Sequence, residues 1–395
     1  MSVKLPIVRF AERMSRLGTE TAFEVMAKAK ALEAQGKDMI YLQIGEPDFP
    51  TPKYIIEAGV AALRDGQTHY SAASGILPLK EAIVEDVKAR RGVTPVIDQI
   101  VVTPGAKPIL FFVILALIEA GDEVIYPDPG FPIYESMVSF VGAKAVPLPL
   151  REENEFGFVH DEFLSLINER TRLIILNSPN NPTGGVLSRA DVELVAKVAR
   201  ERNIMVLSDE VYKNILYDDY QNHSIYSLPE MQERTILLDG FSKTYAMTGW
   251  RLGYGVMPES LAKKVERLMV NSNSCTAAFT QYAGIEALKG STVEVDAMVH
   301  TFKSRRDFIV TGLNKLPGVS CVMPKGAFYV FPNVAELGVK SDELENYLLH
   351  EAGVAVLSGS AFGRYGEGYL RFSYANSIEN IDRALQRINN ALDKI

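Results

Sequence analysis

A chain of 395 residues is long enough to bury a large core and to divide into about two domains. Hydrophobic residues at 47% and charged residues at 23% fit an ordinary soluble globular protein, and a net charge of −8 with no lysine and arginine block argues against a nucleic-acid partner. Two cysteines, Cys275 and Cys321, make neither a disulfide framework nor a metal-ligand spacing, and a cytoplasmic location is the expectation.

The leading stretch, MSVKLPIVRFAERM, carries charges where a signal peptide needs its apolar region. Residues 22–36 are good helix formers ending at a glycine, and 39–44 read as a strand running into the turn Gly45-Glu-Pro-Asp48. A helix over 53–64 precedes HYSAASG (69–75), too polar and irregular for either regular structure, and a helix over 79–91 follows. Strand 100–102 leads through Thr103-Pro-Gly-Ala-Lys107 into the longest apolar run, 109–118. That run is too short to cross a bilayer and ends at Glu119, so it reads as a buried helix. Strand 123–126, helix 132–141, strands 145–147 and 172–177, helix 189–202 and strands 204–207, 235–238 and 252–256 come next.

Several of these strands are continuous apolar runs rather than alternating ones, as a mostly parallel sheet covered by helices on both faces requires. Beyond Pro258 long helices run to about residue 316, and the chain ends with strands at 326–331 and 369–373 and helices at 342–352 and 378–392. The expected fold is α/β, with a large domain over 46–290 whose sheet lies between helices. A smaller α+β domain is built from the segment 1–45 and from 291–395.

In a sheet of this kind ligands sit beyond the carboxyl ends of the strands, and the informative residues stand there. NSPNNPTG (177–184) follows LIIL, SDEVY (208–212) follows IMVL, and Lys243 follows TILL within DGFSKTYAMTGWRLGY (239–254). Gly105-Ala-Lys107 follows IVV and opens a helix, where free backbone N–H groups bind phosphate. Each piece alone has a plain reading: a turn for Asn-Pro-Thr-Gly, a helix N-cap for Asp209, a solvated residue for Lys243. Four successive strand ends together point elsewhere. A lysine with a lowered pKa can attack a carbonyl, and Arg251 can clamp an anion, a pairing that suits pyridoxal phosphate.

SPNNPTG, then SDEVY, then FSKTYAMTGWR resemble the motifs of class I/II pyridoxal-phosphate-dependent aminotransferases of fold type I, and the resemblance runs from about Gly45 to Ala375. It implies a Schiff-base role for Lys243, which would also move the substrate's Cα proton, and a partner for the pyridine nitrogen in Asp209. Asn181 and Tyr212 would bond the ring's phenolic oxygen, with Phe131 stacked on one ring face and Val211 on the other. Gly105, Ala106, Lys107, Ser242 and Arg251 would surround the phosphate, although Gly240 stands where many members carry a serine. Tyr70 would reach the phosphate of a second copy, which implies a homodimer. Arg371 would grip the substrate α-carboxylate and Gly45 would close over it, with SGSAFG (358–363) as a flexible wall.

The implied reaction moves an amino group between an amino acid and a 2-oxo acid, with 2-oxoglutarate as acceptor, in a ping-pong exchange. The donor is aspartate if Lys107 reads an acidic side chain. It is a neutral amino acid such as alanine if Glu24, expected to line the pocket, repels one. A carbon–sulfur β-lyase would share Lys243, Asp209, Tyr212 and Arg371 and is the alternative, and a non-enzymatic regulator on the same fold is a third reading. No membrane association and no bound metal are expected.

Overall fold

The structure, a computed structural model, describes residues 8–394, so the first half of the leading stretch read against a signal peptide lies outside the described residues. The strands are β1 (Ile40–Tyr41), β2 (Ile100–Thr103), β3 (Glu123–Asp128), β4 (Lys144–Pro149), β5 (Thr171–Asn177) and β6 (Met205–Asp209). They continue with β7 (Thr235–Gly240), β8 (Gly253–Val256), β9 (Tyr329–Val330), β10 (Val354–Ala355), β11 (Leu357–Ser358) and β12 (Leu370–Ser373). Seven of them form one sheet in the order β2-β8-β7-β6-β5-β3-β4. All its pairings are parallel except those of β8, which runs antiparallel to both β2 and β7.

The central strands are apolar throughout because both sheet faces are covered. On β5, Leu173 and Ile175 point to one face, where they meet Ile109 and Val113 of the helix Lys107–Leu117. Ile174 and Leu176 point to the other, against Val195 and Ala199 of the helix Arg189–Arg202. The period-two alternation of a strand therefore feeds two cores from one apolar run. Each fully buried aliphatic side chain contributes about 1.5–3 kcal/mol. The apolar run over 109–118 is a helix as expected, with Ile109, Leu110, Phe112, Val113 and Ile114 buried. No helix of the described residues is long and apolar enough to cross a membrane.

The two ends of the chain meet in smaller sheets. Ile40 of β1 pairs in parallel with Val354 of β10, while β11, β12 and β9 form an antiparallel sheet. The helices Val293–Leu313 and Ile378–Leu392 pack over these strands, with Phe302, Ile309, Ile381 and Ile388 closing on Phe328, Val330 and Phe372.

Some elements differ from expectation. The strand read at 39–44 pairs only over Ile40–Tyr41, and that at 326–331 only over Tyr329–Val330, where Ala327 at φ 58° turns the chain out of the extended region. The helix His160–Leu166 was not foreseen: in seven residues with only Phe163 buried, no helical period can register. Strands β3, β6 and β7 run further than read and end on Asp128, Asp209 and Gly240, so two carboxylates stand at sheet ends.

Behind those ends lies a buried charge cluster. The Arg91 guanidinium donates to the Glu210 carboxylate at 2.7 Å and lies 3.5 Å from Asp239, which also pairs with Lys213. Removing one member of such a cluster strands its partner's charge away from water. Arg91→Met is expected to destabilise the protein by about 3–5 kcal/mol in urea unfolding; a loss below about 1 kcal/mol would mean that Glu210 is satisfied by its other donors, Ser208, Ser224 and Asn222.

Candidate active site

A cavity of about 560 Å³ opens where β5, β6 and β7 end. Strand register brings its polar groups together. Asn177 pairs with Asp209, and Asp209 with Leu238. On the other side Gly240 and Thr103 both pair with Gly253, which sets the turn before the helix Lys107–Leu117 beside the segment carrying Lys243. Asn181, Asp209, Val211, Tyr212, Ser242, Lys243, Arg251, Ala106, Lys107, Phe131, Gly45 and Arg371 all line this cavity.

Two expected residues do not line it. Tyr70 is 90% exposed. Gly105 sits behind the wall and shapes it: at φ +87° a side chain is strained, and a Cβ there would run into the Arg251 guanidinium.

Lys243 Nζ donates to the Gly45 carbonyl at 2.5 Å and lies 5.9 Å from the ring centres of Tyr212 and Phe328. Burial, reinforced by the nearby Arg371 charge, lowers its pKa to about 8, against the opposing pull of Glu46 and Glu20. An appreciable fraction of this amine is therefore neutral near physiological pH. Asp209 is buried, accepts a hydrogen bond from the Tyr134 hydroxyl at 2.7 Å, and is pushed up to about 6 by burial. The hydroxyls of Tyr212 and Tyr329 share a hydrogen bond of 2.7 Å, and burial raises Tyr212 well above the ordinary phenol range. Tyr329 also explains Gly45, because its hydroxyl fills the space a Cβ would need.

Arg371 Nη1 donates to Asn181 Oδ1 at 3.0 Å and Nη2 to the Gln43 carbonyl, while its Nε is buried without a partner. The guanidinium stacks on Tyr329 and Phe362, 4.5 and 4.8 Å from their ring centres. Phe131 meets Tyr134 edge-on, and Lys107 Nζ stands 5.4 Å from its ring centre. Of the wall read as SGSAFG, Phe362, the last residue of the turn Gly359–Phe362, lines the cavity, as does Leu357 just before that segment.

The carboxylate expected from Glu24 comes from elsewhere. The helix begins at Thr21, so Glu24 is one turn in and exposed, with its charge felt by Glu345. Glu20, the residue before the helix, lines the cavity and forms an ion pair with Lys107. Tyr134, Tyr329, Gln43 and Glu20 were all missed. Each acts through a partner 75 or more residues away, and only the position of Tyr134, just after the PGFP turn that carries Phe131, was a usable signal.

The chain matches the family model described as aminotransferase class I and II over residues 37–388. It is 42% identical to an aspartate aminotransferase of Pyrococcus horikoshii over 385 residues, covering 97% of each chain. It is also 42% identical to aromatic-amino-acid aminotransferase 2 of Thermococcus litoralis, covering 91% of this chain and 93% of that one. Among solved structures, an alanine aminotransferase from Pyrococcus furiosus superposes with a TM-score of 0.93 at 33% identity, over 98% of this chain and 100% of that one. With the family match and these identities spanning nearly its whole length, the chain belongs to the class I and II aminotransferases and is an aminotransferase.

Proposed function

We propose that the protein transfers an amino group from an amino acid to a 2-oxo acid, 2-oxoglutarate being the acceptor, with pyridoxal 5′-phosphate held in the cavity described above. The observation that carries this reading is a half-buried amine of lowered pKa sharing one cavity with a buried carboxylate and a buried arginine that has an unsatisfied N–H. The residues suit the coenzyme. The turn at Gly105, the N–H groups of Ala106 and Lys107, Ser242 and Arg251 form a cationic end for a phosphate. Asp209 stands where a ring nitrogen would need a counter-charge, and Phe131 and Val211 supply two apolar faces.

When bound, the coenzyme supplies an aldehyde for the donor's amine and a ring that draws off negative charge from Cα. Lys243, as the neutral amine, would take the proton from the donor Cα and hold it for the return transfer. Asp209, held by the Tyr134 hydroxyl, would keep a proton on the ring nitrogen. Tyr212, steadied by Tyr329, and Asn181, whose Oδ1 is occupied by Arg371, would hydrogen-bond the ring oxygen. Arg371 offers its free Nε and one Nη to the donor α-carboxylate. The segment around Gly45 closes over it and excludes water, and Gly45 releases Lys243 as it moves. The division expected from the sequence, 46–290 as one body and the segment through residue 45 with 291–395 as the other, would provide the two bodies for that closure.

A second copy completes the site in this reading: Tyr70, 90% exposed, reaches the partner's phosphate end. The enzyme is then a cytoplasmic homodimer acting in a ping-pong sequence.

The test is a visible absorbance scan of the protein supplied with pyridoxal phosphate, repeated with single amino acids. A band near roughly 360–430 nm should give way to one near about 330 nm on adding a donor and return on adding an oxo acid. Recovery that needs no oxo acid, with pyruvate released from cysteine, would instead indicate the β-lyase. Arg371→Ala is expected to raise KM for every amino acid by about 10²-fold, the loss of a buried charge-assisted pair. An effect on acidic donors alone would assign the α-carboxylate to another residue.

A further inference from the structure

The functional reading leaves one difficulty: a single pocket must take the side chains of two substrates, of which 2-oxoglutarate is acidic. We infer that Glu20 is a movable counter-ion of Lys107 that lets one pocket serve both. Donors with neutral side chains react with the Glu20–Lys107 pair closed, and the acidic oxo acid displaces Glu20 to reach Lys107. The inference rests on the aminotransferase reading and names its donor class.

Lys107 is the first residue of its helix, where the positive end of the helix dipole makes a free ammonium unfavourable. Glu20 approaches from the start of another helix, 87 residues away in sequence, and neutralises it. The neighbouring wall is apolar: Ala22, Leu110, Phe131 and Phe23, the last 58% exposed, line the same cavity. A neutral side chain therefore meets an apolar wall and a charge already compensated. An acidic one first meets the Glu20 carboxylate.

The pair is built to open. The Lys107 and Glu20 side chains keep 46% and 21% of their exposure, and ion pairs in such surroundings contribute only about 0–1 kcal/mol. A substrate already anchored by Arg371 carries its distal carboxylate into the pocket at high effective concentration. It can replace Glu20 at Lys107, while Glu20 turns toward water. The field of Glu20 also reaches Lys243 and Arg371, so it faces the reacting end of the cavity rather than the outer surface.

Glu20→Gln keeps the shape and removes the competing charge. In calorimetric titration of the coenzyme-loaded protein, succinate should bind about tenfold more tightly to Glu20→Gln than to wild type, while propanoate changes by less than about twofold. The ratio of kcat/KM for aspartate over phenylalanine should rise by about tenfold. Lys107→Met should abolish the gain in the double variant. Equal shifts for succinate and propanoate, or none, would overturn the role of Glu20. Absence of amino transfer from any donor in the wild type would instead overturn the functional reading, and the two binding constants would still decide the inference.

Discussion

Lys243→Ala is expected to lower turnover by about ten-thousand-fold, the upper range for loss of a positioned proton-transferring group, and to remove the visible absorbance band of the loaded protein. The reason lies in where the amine sits. It follows a strand end, donates to the Gly45 carbonyl at 2.5 Å, and is depressed to about 8 by burial and by Arg371. Lys107, the other lysine lining the cavity, is engaged by Glu20. The substitution also carries a stability signature independent of activity. A lysine whose folded pKa lies below its ordinary 10.5 penalises the folded state fully below about pH 8, and the penalty fades as pH rises toward 10.5. Coenzyme-free wild type should therefore gain stability across that window relative to Lys243→Ala in thermal unfolding followed against pH. Turnover within tenfold of wild type would remove Lys243 from the reaction.

Asp209→Asn should lower kcat by about 10³-fold while making the coenzyme-free protein more stable at neutral pH. Keeping Asp209 ionised at neutral pH, when burial places it at about 6 rather than 3.8, costs on the order of 3 kcal/mol. The folded form binds more protons than the unfolded one between those values. Through this group stability therefore falls as pH rises from about 4 to 6 and stays reduced above. The stability advantage of Asp209→Asn should accordingly be absent near pH 4 and complete above about pH 6, measured as the difference in Tm or urea midpoint. Such a trade identifies a carboxylate kept for chemistry rather than for folding. An Asp209→Asn protein that is both less stable and fully active would make the residue structural, a holder for Tyr134.

Much of the fold was legible because the relevant information is local. The apolar runs of β5, β6 and β7 and the helix-forming stretches between them identified a mostly parallel sheet covered on both faces. Errors fell where local signals are weak. The seven-residue helix His160–Leu166 buries one aromatic residue only, and β9 is cut short by the turn at Ala327. The antiparallel direction of β8 was not read at all, since a strand's own residues do not state which way its neighbours run.

The candidate site divides in the same way. The sequence by itself determined that Asn181, Asp209, Tyr212 and Lys243 stand at or just beyond successive strand ends, because turn-forming and reactive residues directly follow each apolar run. Strand register alone then draws them into one cavity. Only the tertiary structure decided that Tyr134 holds Asp209, that Tyr329 pairs with Tyr212 and leaves no room at Gly45, and that Glu20 rather than Glu24 meets Lys107. Those contacts join residues 75 or more positions apart, and which of many tyrosines or glutamates arrives is set by helix starting points and sheet register. A shift of one residue in the start of the helix at Thr21 turns its side chains by about 100° and would present a different group to Lys107.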